Sequence, residues 1–133
     1  MTKDEFLREL NKKIDGLYFP SESDFPFETV VWENLSSDLF NTEKWLEHVG
    51  LPANSPLENM SIDYLFRNLS VEQAWHDDVQ KEQVATFKAL QEFLQANLAE
   101  LTVYRVGRIE ITIFIIGKFG NDVIGLKTQA VET

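Results

Sequence analysis

The apolar positions of the chain follow helical spacing in two long stretches and strand spacing in a third. Near the start, Phe6, Leu7, Leu10 and Ile14 recur at helical spacing, and Asp15-Gly16 offers a stop. Between Ser70 and Ala99 a longer helix is expected. Val84, Phe87, Leu90, Leu94 and Leu98 form its apolar stripe, and Ser70 and Gln73 stand at capping-box spacing. Its opening, "VEQAWHDD", is less favourable to helix and reads as a separable turn. Thereafter the pattern becomes that of strands. "TVYRVG", "RIEITIFIIG" and "DVIGLKTQAV" are rich in β-branched residues and meet at Gly107-Arg108 and within "GKFGND", as in consecutive antiparallel strands. Ile109, Ile111, Ile113 and Ile115 line one face of the middle strand, while Phe114 and Ile116 make the other face apolar too. A strand buried on both faces needs cover on both sides. The expected fold is therefore of the α+β type within α/β, a three-layer α-β-α sandwich around a mainly antiparallel sheet.

Shorter elements fill the middle. "FETVVWE" reads as a strand, Thr42 can cap "EKWLEHV" before Gly50 and Pro52, and Ser61 can cap "IDYLFRNL" after the loop "LPANSPLENM". The run from Gly16 to Glu33 is unusual. It holds Tyr18, Phe19, Phe25, Phe27 and Trp32 beside Glu22, Asp24, Glu28 and Glu33, with no basic residue among them. Pro20 and Pro26 forbid a continuous helix through it. Phe19, Phe27 and Trp32 are expected in the core, pinning a loop from Ser21 to Asp24 that holds its acids outward.

No linker, repeat or low-complexity tract divides the 133 residues, which read as one domain over 1–133. Charge sharpens the functional picture. The net charge is −10, and residues before Val103 carry 19 acids against 8 Lys and Arg. Seven acids lie between Ser21 and Glu47, balanced by Lys44 alone. Such a surface repels phosphate, which argues against direct nucleic-acid binding and favours a basic protein as partner. No apolar run is long enough to span a membrane, and the opening residues do not resemble a secretory signal. A cytoplasmic location is the expectation. The chain has no cysteine, so disulfides, thiolate catalysis and Cys-ligated zinc are excluded.

The residues make a poor case for catalysis. His48 and His76 are the only imidazoles, and no metalloprotease, phosphate-loop or nucleophile-elbow motif is present. "WHDD" suggests a metal site at first sight, but adjacent side chains on a helix diverge. Neither a catalytic set nor a cofactor of its own is expected.

"DGLYFPSESDFPFETVVWE" resembles the N-terminal signature of the nuclease A inhibitor family. The likeness continues through "AWHDDVQKEQVATFKALQEFLQANL" and "VYRVGRIEITIFIIGK" to the final "VET", so it covers nearly the whole chain. It implies an α-β-α sandwich acting as a stoichiometric, 1:1 inhibitor of a sugar-non-specific nuclease of the ββα-metal class. Such an enzyme has a basic cleft and a single magnesium-type ion. By the same resemblance Glu22, flanked by Ser21 and Asp24, reaches the cleft, and Trp75 is an aromatic anchor. Thr133 approaches the nuclease's metal, which the inhibitor bridges only in the complex. The family pattern has an acid before the Trp where this chain has Ala74, and Asp77 and Asp78 stand close enough to supply that charge. Two other classes stay open at this point. One is an acidic regulatory module binding a different basic protein, and the other a small hydrolase with a carboxylate-bound metal.

Overall fold

The computed structural model describes residues 1–35, 42–52 and 54–133. Its elements run α1 (Lys3–Ile14), β1 (Tyr18–Phe19), β2 (Phe25–Pro26), β3 (Glu28–Trp32), α2 (Thr42–His48) and β4 (Leu57–Met60). They continue with α3 (Ile62–Leu65), α4 (Asp78–Asn97), β5 (Ala99–Val106), β6 (Glu110–Phe119) and β7 (Asp122–Val131). Five strands form one antiparallel sheet in the order β3-β7-β6-β5-β4, and β1 and β2 pair separately. Among the described residues no helix is long and apolar enough to cross a membrane.

The two apolar faces of β6 set the layering. Side chains alternate across a strand, so Ile111, Ile113 and Ile115 enter one core with Phe6, Leu10 and Ile14 of α1, Ile62 and Leu65 of α3, and Phe87, Leu90 and Leu94 of α4. Phe114 and Ile116 enter a second core on the opposite face, with Trp45 of α2, Tyr104 and Val123. That second core is aromatic: Trp45 packs 5.1 Å from Trp32, 5.7 Å from Tyr104 and 5.4 Å from Phe114, centroid to centroid. Burial pushes the Tyr104 phenol above its usual pKa. The result is the expected three-layer α+β sandwich, with α1, α3 and α4 on one side of the sheet and α2 on the other.

Local chemistry fixes the helix ends. Thr2 and Glu5 form a capping box at the start of α1, and its C-terminus gives way at Asp15 to Gly16, whose φ of 73° suits a residue without a Cβ. Ser61 caps α3 through its hydroxyl, which accepts from the Tyr64 N–H. The expected cap at Ser70 is not used. Its hydroxyl donates to the Phe66 carbonyl at 3.1 Å, and the Gln73 N–H donates to His76 Nδ1 at 3.0 Å. With those groups satisfied locally, the helix starts seven residues later, where Asp77 and Gln80 form the capping box. The segment "VEQAWHD" is thus a turn outside α4, as its composition suggested. The side chain of Thr42 lies outside the described residues, as does Asp38, so the cap expected at Thr42 falls there too; α2 itself starts at Thr42.

Two further expectations change. Ile109 does not line the middle strand: it is 58% exposed, the ladder begins at Glu110, and the Ile109 carbonyl accepts instead from the Glu132 N–H at 2.9 Å. Leu57 to Met60, read as loop, is an edge strand on β5. Its residues have no marked strand preference; backbone pairing and the Asn59 amide, which donates to Thr102 Oγ at 2.7 Å, hold it there.

Far from that edge, Asp122 accepts from the Asn34 backbone N–H at 3.0 Å and from Lys3 Nζ at 3.3 Å, tying α1 and the end of β3 to the β6–β7 turn. These donors, the Asn34 N–H first and Lys3 after it, hold the Asp122 carboxyl below its ordinary value of 3.8. A depressed carboxylate contributes stability above its unfolded pKa, and that contribution disappears as pH falls through the lower folded value. Asp122→Asn is therefore expected to lower the melting temperature at pH 7, with the gap to the wild type closing as pH is taken well below 3.8. Melting curves from pH 7 to pH 2 check this; a gap that persists undiminished at pH 2 would assign the loss to something other than charge.

Candidate functional site

The acidic-aromatic segment is attached to the sheet by its rings and backbone. Phe19 and Phe27 are buried, with ring centroids 6.2 Å apart and edge to face, and Phe27 also meets Phe87 of α4 at 6.3 Å. Thr128 of β7, buried at 2% exposure, donates from its hydroxyl to the Pro26 carbonyl at 3.0 Å. Between these anchors Glu22, Ser23 and Asp24 are exposed, and Ser21 is half-buried. Tyr18 stays half exposed, so not every ring of the segment serves the core.

That loop is tied to the end of β7. The Glu22 N–H donates to the Val131 carbonyl at 3.3 Å, and the Val131 N–H donates to Ser21 Oγ at 3.1 Å, a reciprocal pair that extends sheet-like bonding to the loop. The Ser21 hydroxyl itself donates to the Ser23 carbonyl. Two residues on, both oxygens of Glu22 are occupied: Oε2 accepts from the Thr133 N–H at 2.8 Å and Oε1 from the Thr133 hydroxyl at 2.6 Å. Residues 111 positions apart in sequence thus form one exposed carboxylate–hydroxyl unit. Both donors are neutral, so they fix the direction of the carboxylate without cancelling its charge.

Ser21, Glu22 and Thr133 border a groove of about 490 Å³. A neighbouring groove of about 730 Å³ carries Asp24 and Trp75, and the two share Pro20, Asn68 and Leu69 along their boundary. Five of the seven expected site residues therefore border two adjoining grooves. Trp75 is 73% exposed; its nearest ring is His76, 4.3 Å away. It projects from the turn that precedes α4, fixed by the Gln73–His76 hydrogen bonds. Asp77 and Asp78 are exposed but border neither groove. Asp77 is engaged in capping α4, accepting the Gln80 N–H at 2.8 Å, and Asp78 lies in the first helical turn.

Sequence reasoning missed the basic side of the first groove. Arg105 and Arg67 line it, together with Glu58, Glu132 and Tyr64. The Arg67 guanidinium stacks over the Tyr64 ring at 4.0 Å, and Arg105 meets Glu132 and Glu58. One signal was present: Arg105 is the only charge in "TVYRVG". Among the described residues no three His, Asp or Glu side chains converge as a metal site would require.

The α+β sandwich thus presents an outward acid, an exposed Trp and two adjoining grooves. The comparison of families names the class. Residues 4–133 match the model for nuclease A inhibitor-like proteins, and the chain belongs to that family. No curated protein matches the chain.

Because Trp75 is exposed, Trp75→Ala is expected to leave unfolding stability within about 0.5 kcal/mol of the wild type. Denaturant titration measures this directly. A loss of about 3–5 kcal/mol, the cost of truncating a buried ring, would move Trp75 from the surface to the core.

Proposed function

We propose that the protein is a stoichiometric, 1:1 inhibitor of a sugar-non-specific endonuclease of the ββα-metal class. Family membership supports the inhibitor reading, and the Glu22–Thr133 pair carries the assignment of the site. A carboxylate held in place by neutral donors retains its full charge and loses little freedom when a cationic cleft closes over it. Glu22 enters the basic cleft, with Ser21 and Asp24 beside it, while Trp75 fills an apolar pocket of the partner. Asp77 and Asp78 add charge at the rim, where it speeds encounter more than it strengthens the complex.

Thr133 is the residue directed at the nuclease's metal. Its hydroxyl donates its proton to Glu22, which leaves the oxygen's lone pairs for an ion that prefers hard oxygen ligands and exchanges its waters. The ion belongs to the nuclease; this chain supplies an oxygen and the geometry that presents it. No reaction is assigned to the chain itself.

Titrating a non-specific nuclease with the purified protein tests the reading. Loss of cleavage that is complete at one equivalent is the expected result. No loss at any ratio would redirect the acidic face to another basic partner, and turnover of a substrate by the protein alone would return it to the enzymes. On the same assay Glu22→Ala and deletion of Thr133 are each expected to weaken inhibition by about 2 kcal/mol or more, as central contacts do. Their melting temperatures should stay close to that of the wild type.

The charge distribution adds a kinetic expectation. With the acids concentrated before Val103, association with a basic cleft is steered, and steering is screened beyond roughly 8 Å at physiological ionic strength. Stopped-flow association rates should fall steeply between low and high salt, with dissociation changing far less. A salt-independent association rate would remove steering from the mechanism.

A further inference from the structure

Glu132 and Thr133 lie beyond the last rung of the sheet, the Glu110–Val131 pair of β6 and β7. Order there depends on a few contacts that can be counted. The Glu132 N–H donates to the Ile109 carbonyl, and Thr133 is held on one side by Glu22. On the other side stands Arg105, two strands away on β5. Its guanidinium reaches past the start of β6 to pair with the Glu132 carboxylate, while its other terminal nitrogen lies 3.9 Å from Glu58 on β4. The side chain is only 16% exposed, against 53% for Glu132 and 68% for Glu58, so the cation is the embedded member and the two acids are drawn to it. Its Nε is buried and has no hydrogen-bond partner among the described residues, so the fork is anchored through its two terminal nitrogens.

From this geometry we infer that Arg105 is a positioning residue of the interface, a strap that fixes Glu132 and through it the placement of Thr133 against Glu22. The inference rests on the inhibitor reading for its functional consequence. Charge gives the strap a second effect. Glu22, Glu58 and Glu132 all border the same groove, and without a cation between them their mutual repulsion would push Glu132 and the adjoining Thr133 away from the loop. Arg105 pairs with Glu132, whereas Glu22, whose donors are neutral, has no cation against it among the described residues. A lysine would retain the charge but not a rigid fork able to span two carboxylates.

The test has one arm that needs no nuclease. In the free protein, the NMR order parameter of the Thr133 amide is expected to be near the rigid-backbone value of about 0.85, and to fall below about 0.6 in Arg105→Gln. Glu132→Gln removes the same pair from its exposed side, without disturbing the buried stem, and should produce the same fall. Arg105→Lys should lie between these variants and the wild type. In all of them the amide of Leu126, in the middle of β7, should stay rigid. In the nuclease assay, Arg105→Gln and Glu132→Gln should each weaken inhibition about tenfold, mainly through faster dissociation, and the double variant should be no weaker than either single one. A Thr133 amide that stays rigid in Glu132→Gln would overturn the strap. Loss of order with unchanged inhibition would overturn its role at the interface. If the wild type inhibits no nuclease, the proposed function fails, and the order parameters still decide whether Arg105 holds Thr133 in place.

Discussion

Burial of β6 on both faces is the constraint from which the architecture follows. A two-sided apolar strand cannot lie at the surface, so β5 and β7 must flank it and helices must cover the sheet on both sides. The topology then has a direct effect on the site. With β7 between β6 and β3, the end of β7 and the residues after it emerge next to the loop that joins β1 and β2, and that loop has a backbone N–H, a hydroxyl and a carboxylate facing them. The core thus decides where Glu22 meets Thr133. Glu22 and Thr133 cannot come together by local preference, since 111 positions separate them.

The sheet was legible because its signal is repetitive. Three long β-branched runs, a helix stripe of five apolar residues and glycines at the joints all indicate the same layering, and β5, β6, β7 and α4 stand close to where those patterns put them. The errors lie where one local hydrogen bond outweighs a pattern. Ser70 had the right spacing for a cap, but the Phe66 carbonyl claimed its hydroxyl and Asp77 took the role. Strand β4 has almost no sequence signature because an edge strand draws its order from its neighbour. Ile109 kept the alternation of its strand in sequence but not in space, since its carbonyl is turned to Glu132.

The candidate site was half legible for a related reason. The density of acids and rings from Gly16 to Glu33 marks a loop with two tasks, and the family signature indicates which acid to follow. Composition cannot reveal pairing across the sheet. Arg105 reads as one more charge in a strand, and its meaning depends on Glu132 and Glu58, which lie 27 and 47 positions away. Asp77 shows the opposite case. It looks like free negative charge in "WHDD", whereas its carboxylate accepts the Gln80 N–H and caps α4, which limits how far it can turn toward a partner.

The same contrast separates the acids that can act on a partner from those already engaged. Asp122 accepts from a lysine and a backbone N–H, and its depressed pKa records that its charge stabilises the fold. Glu132 pairs with Arg105, so its negative charge is largely cancelled where it stands. Glu22 is different: two neutral donors orient it, and no Lys, Arg or His of the described residues forms an ion pair with it. Hydrogen bonds from neutral groups lower the entropy lost on binding while leaving the electrostatic attraction intact, whereas an ion pair would have to be broken first. A net charge of −10 draws a basic partner toward the surface in general. Under the proposed function, that attraction ends at the Glu22 carboxylate beside Thr133.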